Sequence, residues 1–256
     1  MSLEGRRILV TGASSGLGAH TVRLLASRGA HVAAAARRIE RLESLAAELA
    51  DAPGRIVPVP GDVTDEASVA AMVAGAVKAV GGIDVLVNNA GAEVQGGLEA
   101  LSRADLEGML RSNVVSVFLV TRAALPALRR SRGAVVNLGS TVVGRPPHGR
   151  FGYVASKAAV EAMTRALAAD LGRDGIRVNC IRPGIVPSEL RGTSEDEERA
   201  RFETGLHFGR QALSAVGQGS DIAEAVAWLA GDGGRWVTGA VIDVDGGLTL
   251  GLADPI

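Results

Sequence analysis

Short apolar, often β-branched runs alternate along this chain with longer amphipathic stretches. Ile8-Leu9-Val10 reads as a strand, and the helical pattern after it runs to about Arg28. His31 to Ala35 reads as a second strand, followed by a helix from about Glu40 to Leu49. Ile56 to Val59 forms a third, and Thr64-Asp65-Glu66-Ala67 marks a helix start, with polar and acidic residues at its N-terminal end. Further strands are predicted at Val85–Val87, Val135–Leu138, Val178–Ile181 and Ala240–Val244. These runs are apolar on both faces, which predicts a parallel sheet covered by helices on both sides. No Pro/Ser linker and no repeat divides residues 1–256, so one domain is expected.

In such sheets ligands bind at the carboxyl ends of strands where the strand order reverses. That rule selects the loops after the first and fourth strands. The first reads Thr11-Gly12-Ala13-Ser14-Ser15-Gly16-Leu17-Gly18. Its glycines permit close approach by a ligand, and the helix N-terminus that follows favours a phosphate. The spacing G-x-x-x-G-x-G differs from the usual dinucleotide fingerprint and carries no Gly-Lys-Ser/Thr. The same residues also fit the G-x-S-x-G elbow of a serine hydrolase, with Ser14 as nucleophile. That alternative needs an oxyanion loop and strands upstream, and only eleven residues precede Gly12. The second loop, Asn88-Asn89-Ala90-Gly91, can border a nucleotide or be a plain turn.

Composition narrows the classes. A chain of 256 residues can bury a sizeable core, and 47% hydrophobic against 21% charged residues describes a folded globular protein. A net charge of −1 implies no basic face for nucleic acid. The single cysteine, Cys180, excludes an internal disulfide and reads as a buried small hydrophobe. His20, His31, His148 and His207 show no metal-ligand spacing, so no metal is expected. No apolar run is long enough to span a membrane and the N-terminus has no secretory h-region; a soluble cytoplasmic protein is the expectation.

The charge inventory also exposes the candidate chemistry. Of 27 basic residues only Lys78 and Lys157 are lysines, and Lys157 follows the only tyrosine, Tyr153, by four positions. Positions i and i+4 share a helix face. An ammonium beside a phenol favours the phenolate and moves the tyrosine toward proton exchange near neutral pH. On the pair alone, a surface tyrosine beside a solvated lysine is the competing reading.

Taken in order and spacing, Thr11 to Gly18, Asp62-Val63, Asn88 to Gly91, Asn113, Ser140, Tyr153 to Lys157, Pro183-Gly184 and Val244-Asp245-Gly246-Gly247 resemble the classical short-chain dehydrogenase/reductase family. The resemblance covers nearly the whole chain. It implies an α/β fold: a Rossmann-type doubly wound parallel sheet of seven strands, order 3-2-1-4-5-6-7, with helices on both faces. It further implies hydride transfer between a nicotinamide and a carbonyl or secondary alcohol. On this resemblance Tyr153 is the general acid/base, Lys157 lowers its pKa and bonds the nicotinamide ribose, and Ser140 polarises the carbonyl. Asn113, in a helical stretch, holds a water in the proton relay. A catalytically silent NADP-binding regulator or scaffold remains the alternative.

The coenzyme preference is read from the second strand's end, Ala33-Ala34-Ala35-Ala36-Arg37-Arg38. NAD-binding members commonly carry an acidic residue there. Arg37 looks like the family's 2′-phosphate clamp with Arg38 assisting, although both could merely flank a helix start; NADP(H) is favoured over NAD(H). Resemblance adds as cofactor contacts Gly12, Ser14, Ser15, Gly16, Leu17, Gly18, Asp62, Val63, Asn89, Ala90, Gly91, Pro183, Gly184, Val186 and Ser188. It places a variable substrate lid at about 188–215, with an acidic helix start at Ser194–Arg199. The substrate pocket is expected to take Glu93, Gln95, Val142, His148, Arg150 and Leu190, with His148 and Arg150 also readable as exposed loop residues. At 3% aromatic residues, a pocket for stacking flat rings is not advertised. The family's helix-bundle and C-terminal contacts imply a homotetramer rather than a dimer, with the tail Leu248–Leu252 buried between subunits.

Overall fold

A computed structural model describes residues 2–191, 196–197, 200, 211–213 and 215–250. Seven strands form one parallel sheet in the order β3-β2-β1-β4-β5-β6-β7: β1 Arg7–Thr11, β2 His31–Ala36, β3 Arg55–Pro60, β4 Val85–Asn88, β5 Ala134–Leu138, β6 Arg177–Pro183 and β7 Val241–Val244. The predicted order is the observed one. Seven α-helices are described around it: α1 Gly16–Ser27, α2 Ile39–Glu48, α3 Glu66–Val80, α4 Arg103–Leu110, α5 Ser116–Ser131, α6 Phe151–Leu171 and α7 Gly219–Ala230. Among the described residues, no helix is long and apolar enough to cross a membrane.

The two-faced apolar strands sort their side chains by parity, because successive residues of a strand point to opposite faces. Ile8 and Val10, with Val32, Val85, Val87 and Val136, pack against α1, α2 and α7. Leu9, with Ala33, Val59, Leu86, Val135 and Val178, packs against α3, α5 and α6. Burying both faces leaves only the two edges open. On the β3 edge, Pro58 and Pro60 lack the N–H that a further strand would need; β7 has no such block.

Local signals fix the helix ends. Asp65 caps α3 by accepting from the Ser68 N–H at 2.6 Å, and Gly81 closes that helix in the left-handed region at φ 83°. Ser102 and Asp105 form a reciprocal capping box at α4. Two features have no counterpart among the predicted elements. One is α7. The other is a π-helical turn, Arg111–Val115, which joins α4 to α5 and carries Asn113. Most of the predicted lid, and with it the Ser194–Arg199 helix start apart from residues 196 and 197, lies outside the described residues, as do Gly251 and Leu252 of the tail.

Candidate active site

The sheet order reverses between β1, which leads back to β2, and β4, which leads on to β5. The loops after these two strands are tied together there. Thr11 Oγ1 accepts from the Asn89 and Ala90 N–H groups at 3.1 and 3.2 Å, and Asn89 Nδ2 donates to the Thr11 and Gly12 carbonyls at 2.9 and 3.1 Å. Above them opens a cleft of about 720 Å³ running from Arg37 and Arg38, across Gly12 and Gly16, to Ser140, Tyr153 and Pro183.

The glycines act at close range. Gly12 has φ 65°, and a Cβ there would lie 2.8 Å from Ala90 Cα. A Cβ on Gly18 would lie 2.2 Å from the Gly12 carbonyl oxygen, so Gly18 seats α1 against the loop and does not line the cleft. Helix α1 begins at Gly16 with no side-chain cap and no acidic residue in its first turn. Its N–H groups and positive dipole end therefore face the cleft uncompensated, which suits an anion. Arg38 donates to Ser14 Oγ at 3.1 Å and to Ser15 Oγ at 2.9 Å, while Arg37 acts electrostatically on Asp62. Asp62 accepts from the Thr64 N–H and hydroxyl, bonds that hold its carboxyl below the usual range. A glycine cradle, a bare helix N-terminus and adjacent guanidinium groups fit a phosphorylated dinucleotide.

At the other end, α6 turns Tyr153, Ser156, Lys157, Val160, Glu161 and Thr164 to its buried face. Lys157 Nζ donates to the Leu138 carbonyl at 2.8 Å and lies 5.7 Å from the centroid of the Tyr153 ring. Burial pushes the Lys157 ammonium down from 10.5 to about 8, opposed by Cys180 and Glu93. The Cys180 thiol is itself pushed up to about 11 by burial, so near neutral pH it is uncharged and Glu93 is the anion that counts. Ser140 stands at the carboxyl end of β5, and its Oγ accepts from the Val142 N–H at 3.4 Å.

Asn113 lies in a helical stretch, as expected, within the π-helical turn. It does not line the cleft, and its amide is engaged: Oδ1 accepts from the Ala92 N–H at 2.8 Å, and Nδ2 donates to the Ala92 carbonyl and to Ser156 Oγ, both at 2.9 Å. The side chain thus pins the π-helical turn to the loop after β4 and to α6. Ser156, not singled out from sequence, is the partner one turn from Tyr153.

Of the expected pocket residues, Glu93, Val142, Arg150 and Leu190 line the cleft; Gln95 and His148 are exposed and outside it. Arg150 is no free loop residue. It pairs with Glu93 at 3.1 Å, and the Glu93 side chain is only 2% exposed. The remaining expected cofactor residues all border the cleft, Val63, Gly91, Gly184, Val186 and Ser188 among them. Sequence reading missed a buried polar chain beneath it. Asn88 Nδ2 donates to Asn137 Oδ1 at 2.9 Å, and Asn137 Nδ2 donates to Thr164 Oγ1 at 2.9 Å, linking β4, β5 and α6. The available signal was an asparagine ending one apolar strand, Asn88, and another within the next, Asn137. No histidine is among the described residues lining the cleft beside Ser14.

Comparison with known proteins agrees with this layout. A family model described as enoyl-(acyl carrier protein) reductase matches residues 12–249. The chain belongs to the classical short-chain dehydrogenase/reductase family. It is 38% identical to a 3-oxoacyl-[acyl-carrier-protein] reductase of Thermotoga maritima, over 98% of this chain and 100% of that protein. It is 33% identical to a glucose 1-dehydrogenase of Gluconobacter oxydans, over 96% of this chain and 92% of that one. Among solved members of the family, a dehydrogenase of Burkholderia cenocepacia in complex with NADP superposes with TM-score 0.87 at 34% identity, covering 97% and 99% of the two chains. A blue fluorescent protein from a metagenomic library, in complex with NADPH, gives 0.87 at 36% identity with the same coverage.

Proposed function

We propose that this single-domain protein is an NADP(H)-dependent oxidoreductase that interconverts a carbonyl and a secondary alcohol, with Tyr153 as general acid/base. The observation that carries the reading is the Tyr153–Lys157 pair: two groups one helical turn apart, both buried, both on the wall of a dinucleotide-sized cleft. A nicotinamide bound there supplies or accepts the hydride. In reduction, the Tyr153 hydroxyl donates its proton to the substrate oxygen as charge builds on it. The Ser140 hydroxyl hydrogen-bonds the same oxygen and fixes it within reach. The Lys157 ammonium favours the phenolate left on Tyr153; each unit of pKa depression is worth about 1.4 kcal/mol. In oxidation the phenolate takes the proton back. By family resemblance, Asn113 is assigned to hold a water in the proton relay.

The NADP(H) preference is supported by the all-alanine end of β2, by Arg37 and Arg38, and by the NADP and NADPH complexes of the similar structures. Comparing kcat/KM for NADPH and NADH tests it, and a clear NADH preference refutes it. The reaction is tested by following NADPH absorbance with a panel of ketones. Tyr153→Phe should lose about 10²–10⁴-fold in kcat while still binding NADPH. Turnover that survives the change removes the mechanism, and a wild type that binds NADPH without turning over any ketone leaves the silent regulator. Ester cleavage lost on Ser14→Ala would restore the hydrolase. We also infer that the protein forms a homotetramer.

A further inference from the structure

The arginines at the adenosine end of the cleft already face a carboxylate. Arg38 spends Nε and Nη2 on Ser14 and Ser15, and its Nη1 lies 3.8 Å from Glu189 Oε2. The same oxygen accepts from Arg41 Nη1 at 2.8 Å. Glu189 opens a short 3-10 turn, Glu189–Arg191, directly after Ser188, and lines the cleft with Ser14, Ser15 and Arg38. It therefore sits across the cleft from α2, which carries Arg41, and spans the group of donors best suited to an anion.

We propose that Glu189 is a coenzyme-specificity residue: its carboxylate competes with the ribose 2′-phosphate of NADP(H) for Arg38 and Arg41, and so weakens NADP(H) binding without affecting NAD(H). The inference rests on the NADP(H) reading. A 2′-phosphate brings about two negative charges to these guanidinium groups, and like charge disfavours two anions on the same donors. Either Glu189 moves away or the phosphate binds beside a fixed negative charge. A neutral 2′-hydroxyl raises no such conflict and leaves the Glu189–Arg41 pair in place. The side chains are 44–45% exposed, so the pair is screened and easily parted. Glu189 thus biases selectivity and does not block the site. Its negative charge, set in the loop beyond β6, acts on discrimination made at the end of β2.

The test is equilibrium binding, which needs no substrate. NADPH and NADH are titrated by nucleotide fluorescence, and 2′,5′-ADP and ADP by calorimetry, against wild type and Glu189→Gln. The variant should bind NADPH and 2′,5′-ADP about threefold or more tightly, an effect of the size expected for exposed ion pairs, with NADH and ADP unchanged. The gain should shrink as salt is raised toward 1 M, and largely disappear when Glu189→Gln is added to an Arg38→Met/Arg41→Met variant and measured against that variant. No gain for NADPH, or an equal gain for NADH, overturns the inference; the latter would mean general repulsion of the dinucleotide. The wild-type ratio of NADPH to NADH affinity reads the underlying coenzyme preference separately, so the two can fail independently.

Discussion

Lys157 is an ammonium taken out of water, 5% exposed on the inner face of α6. Its pKa falls from 10.5 to about 8 because burial penalises the charged form. Between those values the unfolded chain binds more protons than the folded one, so stability rises with pH from about 8 toward 10.5. At pH 7 the charge is carried at a cost, and Lys157→Met should raise the melting temperature by several degrees while reducing turnover at least 10²-fold. A thermal melt beside an NADPH assay checks both; a lower melting temperature would contradict the burial cost. Glu93 supplies the anion that opposes this depression. Glu93→Gln should therefore move the alkaline limb of the reduction pH profile to lower pH, since Lys157 then loses its proton earlier. A limb that stays in place or moves up rules out Glu93 as a tuner of Lys157. The Tyr153–Lys157 spacing was legible in sequence; Glu93 was expected only in the substrate pocket, and its influence on Lys157 was not foreseen. Lying 64 residues before Lys157, it comes near only through the sheet.

Among the elements, helix α6 is held by a charge pair one turn beyond Lys157. Glu161 on α6 accepts from Arg182 on β6 at 2.6 and 2.5 Å, and Arg182 also reaches Asp243 on β7 at 3.4 Å. The Glu161 side chain is 5% exposed. Such a pair adds little net stability, yet removing one partner strands the other charge in the interior. Arg182→Met should cost about 3 kcal/mol, which for a domain of this size corresponds to a drop of about 6–12 °C in Tm. A calorimetric Tm within 2 °C of wild type, on the order of the shift for 1 kcal/mol or less, would exclude this role. Strand positions were readable because two-sided burial leaves continuous apolar runs. The π-helical turn was not readable, because Arg111-Ser112-Asn113-Val114-Val115 has the same local pattern as the α-helix on either side; the Asn113 contacts with Ala92 and Ser156 accompany the altered winding.

For the whole molecule, the exposed apolar side chains bear on the proposed tetramer. Val115 and Phe118 are large, apolar and 44% and 47% exposed on one side of the α5 region, with Arg122 stacked 4.8 Å over the Phe118 ring. Trp236 is 91% exposed near β7, the sheet edge without prolines. Two separate exposed apolar regions fit the two interfaces of a D2 tetramer. Light scattering should give four chains, and Phe118→Glu should give two by opening only the α5 contact. A monomeric wild type, or a variant still of four chains, refutes the assignment.

Family resemblance implied the sheet order; the sequence by itself determined the strand positions, the glycine loop, the tyrosine–lysine pair and the arginine-rich end of β2. Each is written in residues close together in the chain, where period, spacing and residue type act directly. Tertiary structure alone decided which arginine meets Ser14 and Ser15, that Arg150 is paired with Glu93, that Asn113 is bonded to Ala92 and Ser156 outside the cleft lining, and that Glu189 faces Arg38 and Arg41. Those contacts join segments tens to more than a hundred residues apart, and their partners are chosen by the packing of helices on the sheet.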